Sequence, residues 1–105
     1  MANARATEHW ENLVIEFDDE PGVELTADGL AVNGNLFGFL NGDELAVDLS
    51  AGRAADLVHR GMATHYKHDG AKSRDWVTVS DQTLWSELLR EAHEYVGEPP
   101  VGGQS

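Results

Sequence analysis

Two Asn-Gly pairs constrain this chain more than any other feature of its sequence. Asn33-Gly34 and Asn41-Gly42 lie eight residues apart, and each pair lies between apolar runs. Both central residues of a type I′ turn need a positive φ, which Asn-Gly supplies, so each pair predicts a β-hairpin. Together they predict a three-stranded antiparallel meander, with strands over roughly 29–32, 35–40 and 44–49.

The predicted register divides the meander into two faces, because opposed residues of a hairpin point the same way. The face expected to carry the core consists of Ala31, Leu36, Gly38, Leu40, Leu45, Val47 and Leu49. The second face carries Leu30, Val32, Phe37, Phe39 and Ala46, among polar residues. Three interpretations of the second face stay open. A helix covers it too, the sheet curls so that this face is buried, or Phe37 and Phe39 contact a protein partner or a second copy.

Gly38 differs from the two turn glycines because it lies inside a predicted strand, where glycine weakens a sheet. The register places it opposite Gly29, and two facing glycines leave a notch on the core face. We expect Trp85 or Trp10 to fill this notch, since aromatic rings cover bare backbone well.

Patterns on either side of the meander predict three helices and further short strands. Each helix follows a polar residue able to accept hydrogen bonds from the first turn, and apolar residues recur at helical spacing. The predicted helices cover roughly 8–18, 51–60 and 81–96, with Thr7, Ser50 and Ser80 as N-caps. The flanking segments predicted as strands cover 23–26, 63–67 and 75–79.

The order of these elements indicates one α+β domain built on an antiparallel sheet. A chain of 105 residues is the size of a single domain, and a content of 41% hydrophobic residues suffices for one core. We expect this domain to span 7–97, with disordered segments at 1–6 and 98–105.

Composition disfavours several classes of function. The net charge of −12 repels phosphate backbones and anionic membranes, so neither nucleic acid nor a membrane is the expected partner. The absence of cysteine excludes disulfide scaffolds, cysteine–zinc sites and thiol catalysis. No apolar run approaches the roughly 20 residues of a membrane span, and no signal-peptide pattern is found, so we expect a cytoplasmic protein.

Basic residues concentrate in one segment of this acidic chain. Residues 53–76 carry five lysines and arginines against three aspartates. The candidate binding residues of this segment are His65, Lys67, His68, Lys72, Arg74 and Trp76. A metal site is not predicted there, because residues three apart in a strand, such as His65 and His68, point to opposite faces.

No catalytic constellation stands out. The G-x-S-x-G turn of serine hydrolases does not occur, and Ser50 and Ser80 fit helix caps. The four-residue spacing of Gly34, Gly38 and Gly42 lacks the lysine and the strand-to-helix context of a phosphate-binding loop. We therefore expect a protein that is not an enzyme and needs no cofactor.

The motifs together resemble the TfoX N-terminal domain family and the related MmcQ/YjbR-like small proteins. The resemblance is carried by "GLAVNGNLFGFLNGDELAVDL", a short helix, "GAKSRDWVTV", and an amphipathic helix that contains Trp85 and ends "EYVG". It covers about residues 10–97 and implies an α+β fold with an antiparallel sheet. The chain departs from the family at "LTADGL", where members often have Met-Phe-Gly, and at Ser73, where many carry an apolar residue or methionine. The family name comes from a regulator of competence genes, and many single-domain members have no assigned activity.

These observations predict a small non-enzymatic interaction or regulatory module that binds a protein partner or itself. Two alternatives stay open. One is a small-ligand-binding protein or cryptic enzyme that uses the polar 65–76 segment. The other is weak nucleic-acid binding, as in a transcription or competence regulator, with Tyr66 and Trp76 as stacking residues.

Overall fold

The computed structural model describes residues 4–66 and 75–97, in which three α-helices pack beside one six-stranded sheet. The helices are α1 (Ala4–Asp18), α2 (Ala51–His59) and α3 (Trp85–Gly97), and a 3-10 turn (Gln82–Leu84) precedes α3. The strands are β1 (Val23–Thr26), β2 (Gly29–Val32), β3 (Asn35–Asn41), β4 (Glu44–Leu49), β5 (Thr64–Tyr66) and β6 (Asp75–Val79). Neighbouring strands are antiparallel in the order β1-β2-β3-β4-β6-β5, which confirms the predicted α+β class. The predicted tail 98–105 lies outside the described residues.

The first helix begins earlier than its cap pattern predicted. α1 starts at Ala4 and Thr7 lies inside it, so the Thr7 N-cap is wrong. Alanine has the strongest helix propensity of any residue, and the alanines ahead of Thr7 favour this extension. The predicted apolar face is confirmed, and its core-packed residues are Trp10, Leu13, Val14 and Phe17.

The predicted caps of the other two helices differ in outcome. Ser50 caps α2 as predicted, since its Oγ accepts a hydrogen bond from the backbone N–H of Arg53 at 3.3 Å. Ser80 does not cap the last helix. Instead Asp81 caps the 3-10 turn that leads into it, accepting bonds from the hydroxyl and the backbone N–H of Thr83 at 2.7 and 3.1 Å. These two bonds lower the pKa of the Asp81 carboxyl.

Both Asn-Gly pairs lie at turns, but only the first turn has the predicted position. Asn33 and Gly34 have φ values of 53° and 85°, as a type I′ turn requires. In the second hairpin Asn41 pairs with Glu44, so the two-residue turn begins at Gly42. This displacement moves the pairing by two residues, which leaves the predicted faces of β4 unchanged.

A β-bulge in β3 reverses the predicted faces of the first hairpin. Ala31 pairs with Leu36 but Leu30 pairs with Gly38, so Phe37 is an extra residue in β3. Leu30 and Phe37 therefore lie in the core, while Ala31 and Leu36 lie on the opposite face, the reverse of the prediction. The core face consists of Leu30, Val32, Phe37, Gly38, Leu40, Leu45, Val47, Leu49, Val77 and Val79.

All three described helices pack on this core face. Their buried residues in the common core are Ala6, Leu13, Phe17, Ala54, Leu57, Trp85, Leu88, Leu89 and Ala92. Arg53 of α2 donates to Glu91 of α3 at 2.9 and 3.1 Å, and these bonds raise the pKa of the guanidinium. Arg90 of α3 reaches Glu16 of α1 at 3.0 Å. The fold is thus a helix layer on a sheet, and the other sheet face carries no described helix.

Gly38 lies at the predicted notch, but a leucine fills it. The Cβ that Gly38 lacks would collide with Cδ1 of Leu89 in α3. The expectation of Trp10 or Trp85 is wrong, because α3 crosses β3 one turn beyond Trp85. Trp85 is buried nearby and donates from Nε1 to a backbone carbonyl at the end of β6, at 2.9 Å. Leu30, and not a second glycine, stands opposite Gly38.

Candidate functional site

Three aromatic rings cluster on the sheet face opposite the helices. Phe39 of β3 lies 5.4 Å from Trp76 of β6 and 5.8 Å from Tyr66 of β5, measured between ring centroids. The rings are tilted or edge-on, and aromatic pairs in such arrangements attract each other beyond the area that they bury. We call this surface, together with Leu36 of β3, the aromatic face.

The sheet positions between the rings carry small side chains. Phe39 pairs with Ala46 and Ala46 pairs with Thr78, so these two residues separate Phe39 from β5. Ala46 is 0% exposed and Thr78 is 6% exposed, although no described helix packs on this face. The ring contacts of Phe39 with Tyr66 and Trp76 make the cluster continuous from β3 to β5.

A fully buried carboxylate lies beside the rings. Asp48 pairs with Trp76 across β4 and β6, and the two residues are 0% and 3% exposed. Burying a carboxylate costs free energy, and buried ionisable groups concentrate at functional sites. Asp48 was not among the predicted site residues. The sequence carries no clear signal for it, because alternation in β4 places Asp48 on the same face as Glu44 and Ala46, as expected of an exposed polar position.

The structure separates the two phenylalanines predicted to form one partner surface. Phe37 is 0% exposed beneath the helices, with its ring 6.2 Å from Phe17 and 5.5 Å from His93. It presents no surface to a partner, so this half of the prediction is wrong, and the bulge is the reason. Phe39 lies on the opposite face, half-buried, and belongs to the aromatic face.

The candidate binding residues of the basic segment are only partly described. Those outside the described residues are Lys67, His68, Lys72 and Arg74. His65 pairs with Val77, whose side chain lies in the core, whereas Trp76 belongs to the opposite face. Since successive strand residues alternate between faces, His65 and Trp76 do not meet on one surface.

Two histidines, one on α1 and one on α3, do not form a second candidate binding site. Nε2 of His9 and Nε2 of His93 are both buried and have no hydrogen-bond partner in the described part of the chain. The ring of His9 lies 5.4 Å from Trp85, and that of His93 lies against Phe37, so both pack as core aromatics. Among the described residues, no group of three or more His, Cys, Asp or Glu side chains could hold a metal ion.

No protein-family model, no curated protein and no solved structure matches this chain. The resemblance to the TfoX N-terminal domain family therefore stays a prediction. None of the described helices is long and apolar enough to cross a bilayer.

Proposed function

We propose that this protein is a non-enzymatic interaction module that binds a protein partner through its aromatic face. The observation that carries the proposal is the cluster of Phe39, Tyr66 and Trp76 on a sheet face that no described helix covers. An antiparallel sheet face without a covering layer is usually polar. The partly exposed apolar side chains of Leu36, Phe39 and Tyr66 depart from that pattern, which favours contact with another molecule.

The side chains of the aromatic face suit the centre of a protein interface. Tyrosine, tryptophan and phenylalanine are enriched there, because each ring buries a large area at a small cost in conformational entropy. Leu36, Phe39 and Tyr66 are half-buried, so part of each side chain lies at the protein surface. Trp76 is nearly inaccessible and supports the other rings from within the cluster.

Charge favours a protein partner over nucleic acid. A net charge of −12 repels phosphate groups, and Arg53, Arg60 and Arg90 are held in ion pairs with carboxylates of this chain. The same charge opposes self-association, because two copies repel each other. We therefore propose a different protein, and not a second copy, as the partner.

A pull-down from native extract tests the proposal with a charge placed on the aromatic face. Phe39→Glu introduces a carboxylate into the cluster, and Ile15→Glu introduces the same group on the outer side of α1, where Ile15 is 69% exposed. We expect wild type and Ile15→Glu to retain a common partner that Phe39→Glu loses. Tyr66→Lys, at the other edge of the cluster, should lose it too. Circular dichroism establishes that every variant is folded.

Recovery of the same partner by folded Phe39→Glu and Tyr66→Lys would contradict the proposal. Light scattering of the purified protein measures its oligomeric state separately. A wild-type dimer that Phe39→Glu converts to a monomer would assign the aromatic face to a second copy of the chain.

A further inference from the structure

The first strand is an edge of the described sheet, since β2 is the only described strand that pairs with β1. In an antiparallel ladder, the backbone N–H and C=O groups of every second residue point away from the neighbouring strand. An edge strand therefore offers a row of hydrogen-bonding groups to another chain. The outward N–H of Val23 already donates to the carbonyl of Glu20 at 3.2 Å, so the groups that β1 presents to a further strand are the carbonyl of Val23 and the N–H and carbonyl of Leu25.

The side chains of β1 continue two rows of cross-strand neighbours to the edge of the sheet, one on each face. Leu25 pairs with the buried Leu30 on the core side, yet Leu25 is 54% exposed. Glu24 pairs with Ala31 on the opposite side, and its carboxylate is exposed. A strand added to β1 would meet an apolar side chain on one side and an acidic one on the other, at alternate positions.

Acidic residues are concentrated in the sequence in and around β1. The segment 18–28 contains no lysine or arginine, and its acidic residues are Asp18, Asp19, Glu20, Glu24 and Asp28. None of the five forms an ion pair within the described part of the chain. Their uncompensated charge complements a basic segment and repels a second copy of this edge.

We propose that the β1 edge binds an extended segment of a protein partner in which apolar and basic residues alternate. The segment adds to the sheet as a strand beside β1, by main-chain hydrogen bonds. Its apolar residues cover Leu25 on the core side, and its basic residues face Glu24 on the other. This docking edge is separate from the aromatic face, which begins two strands away at β3.

The acidic residues also fit a purely protective role, because charges on an edge strand prevent nonspecific pairing between sheets. Docking and protection predict different results when a further strand is offered. An edge that is only protected rejects every added strand, whereas a docking edge accepts a strand of opposite charge and matching alternation.

The test uses the capped peptide Lys-Val-Lys-Val-Lys-Val-Lys as the probe, titrated into the isotope-labelled 105-residue chain at low salt. A control peptide has the same composition, with its valines in one block, so that the charge is kept and the alternation is lost. We expect the alternating peptide to shift the backbone amide signals of residues 23–26 and to bind more weakly as salt increases. The block peptide should bind about tenfold more weakly.

A matched pair of variants separates docking from charge attraction alone. Leu25→Thr keeps a β-forming residue but removes the apolar contact, and we expect it to weaken binding about tenfold. Tyr95→Gln removes an apolar side chain that is 47% exposed on α3, and it should leave the affinity unchanged. Phe39→Glu should also leave it unchanged, because the aromatic face is a different surface.

Three results would each overturn the proposal. They are equal binding of the alternating and block peptides, signal shifts on the aromatic face in place of residues 23–26, and no binding of either peptide at low salt.

Discussion

At the scale of single residues, Gly38 sets how closely the last helix approaches the sheet. Cδ1 of Leu89 occupies the space in which any other residue would carry its Cβ. Gly52 is the opposite case, because no heavy atom lies within 4 Å of its Cβ position in α2. The two glycines therefore predict opposite effects of the same substitution.

We expect Gly38→Ala to lower the free energy of unfolding by about 1–3 kcal/mol, since the added methyl group displaces Leu89 or moves α3. Gly52→Ala is the matched control and should raise that free energy by about 0.5–1 kcal/mol, because alanine favours a helix. Urea denaturation of both variants measures the difference. In the double variant Gly38→Ala/Leu89→Ala, the loss should be smaller than the sum of the single losses. Wild-type stability of Gly38→Ala would refute the close contact.

At the scale of elements, the start of the last helix distinguishes two adjacent residues with similar capping chemistry. Ser80 and Asp81 both carry an oxygen able to accept from a first-turn N–H. Only Asp81 does so, and its bonds to Thr83 favour the ionised carboxylate in the folded state. A group whose pKa is lowered by folding stabilises the protein above the pKa of the unfolded state, about 3.9 for aspartate. That stabilisation is lost as the pH falls through the lower pKa of the folded state.

We expect Asp81→Ala to lower the urea midpoint at neutral pH, because it removes the cap. Ser80→Ala, one residue earlier, should leave the midpoint unchanged. The difference between Asp81→Ala and wild type should narrow as the pH falls below about 3.9, the pKa of the unfolded state, and should be smallest below the lowered pKa of the folded state, where the wild-type carboxylate is protonated. Urea denaturation over a pH series follows this difference. A gap that stays constant to the lowest pH, or a larger effect of Ser80→Ala, would disprove this assignment of the cap.

At the scale of the whole molecule, repulsion among carboxylates opposes folding. The net charge is −12, and the ion pairs of Arg53 and Arg90 hold the three helices together against it. Added salt screens both the repulsion and these pairs. The repulsion is the larger effect, because acidic residues outnumber basic ones 19 to 7.

We therefore expect sodium chloride to raise the midpoint of thermal unfolding at neutral pH, by about 5 °C for roughly 1 kcal/mol of relieved repulsion. The control is the same salt series near the isoelectric point of about 4.5, where the net charge vanishes and the increase should disappear. Calorimetry measures both series. A midpoint that falls with salt at neutral pH would mean that the ion pairs outweigh the repulsion.

Local patterns predicted the elements well because each depends on a few neighbouring residues. The Asn33-Gly34 turn, the Ser50 cap and the apolar face of α1 are such cases. The local patterns gave the wrong cap at two positions. At Thr7, the helix propensity of the preceding residues extended the helix past the capping residue. At Ser80, the adjacent carboxylate of Asp81 formed the cap instead.

The sequence by itself determined the α+β class, the meander and the presence and approximate position of three helices, since turn chemistry and periodicity act within a few residues. Only the tertiary structure decided which sheet face each residue occupies. The extra residue Phe37 reverses the faces of the first hairpin, and it belongs there because its ring packs against Phe17 of α1 and His93 of α3. Such contacts join residues distant in the chain, so no local pattern encodes them. They place Phe37 in the core, Phe39 on the aromatic face, and Leu89 in the space that Gly38 leaves open.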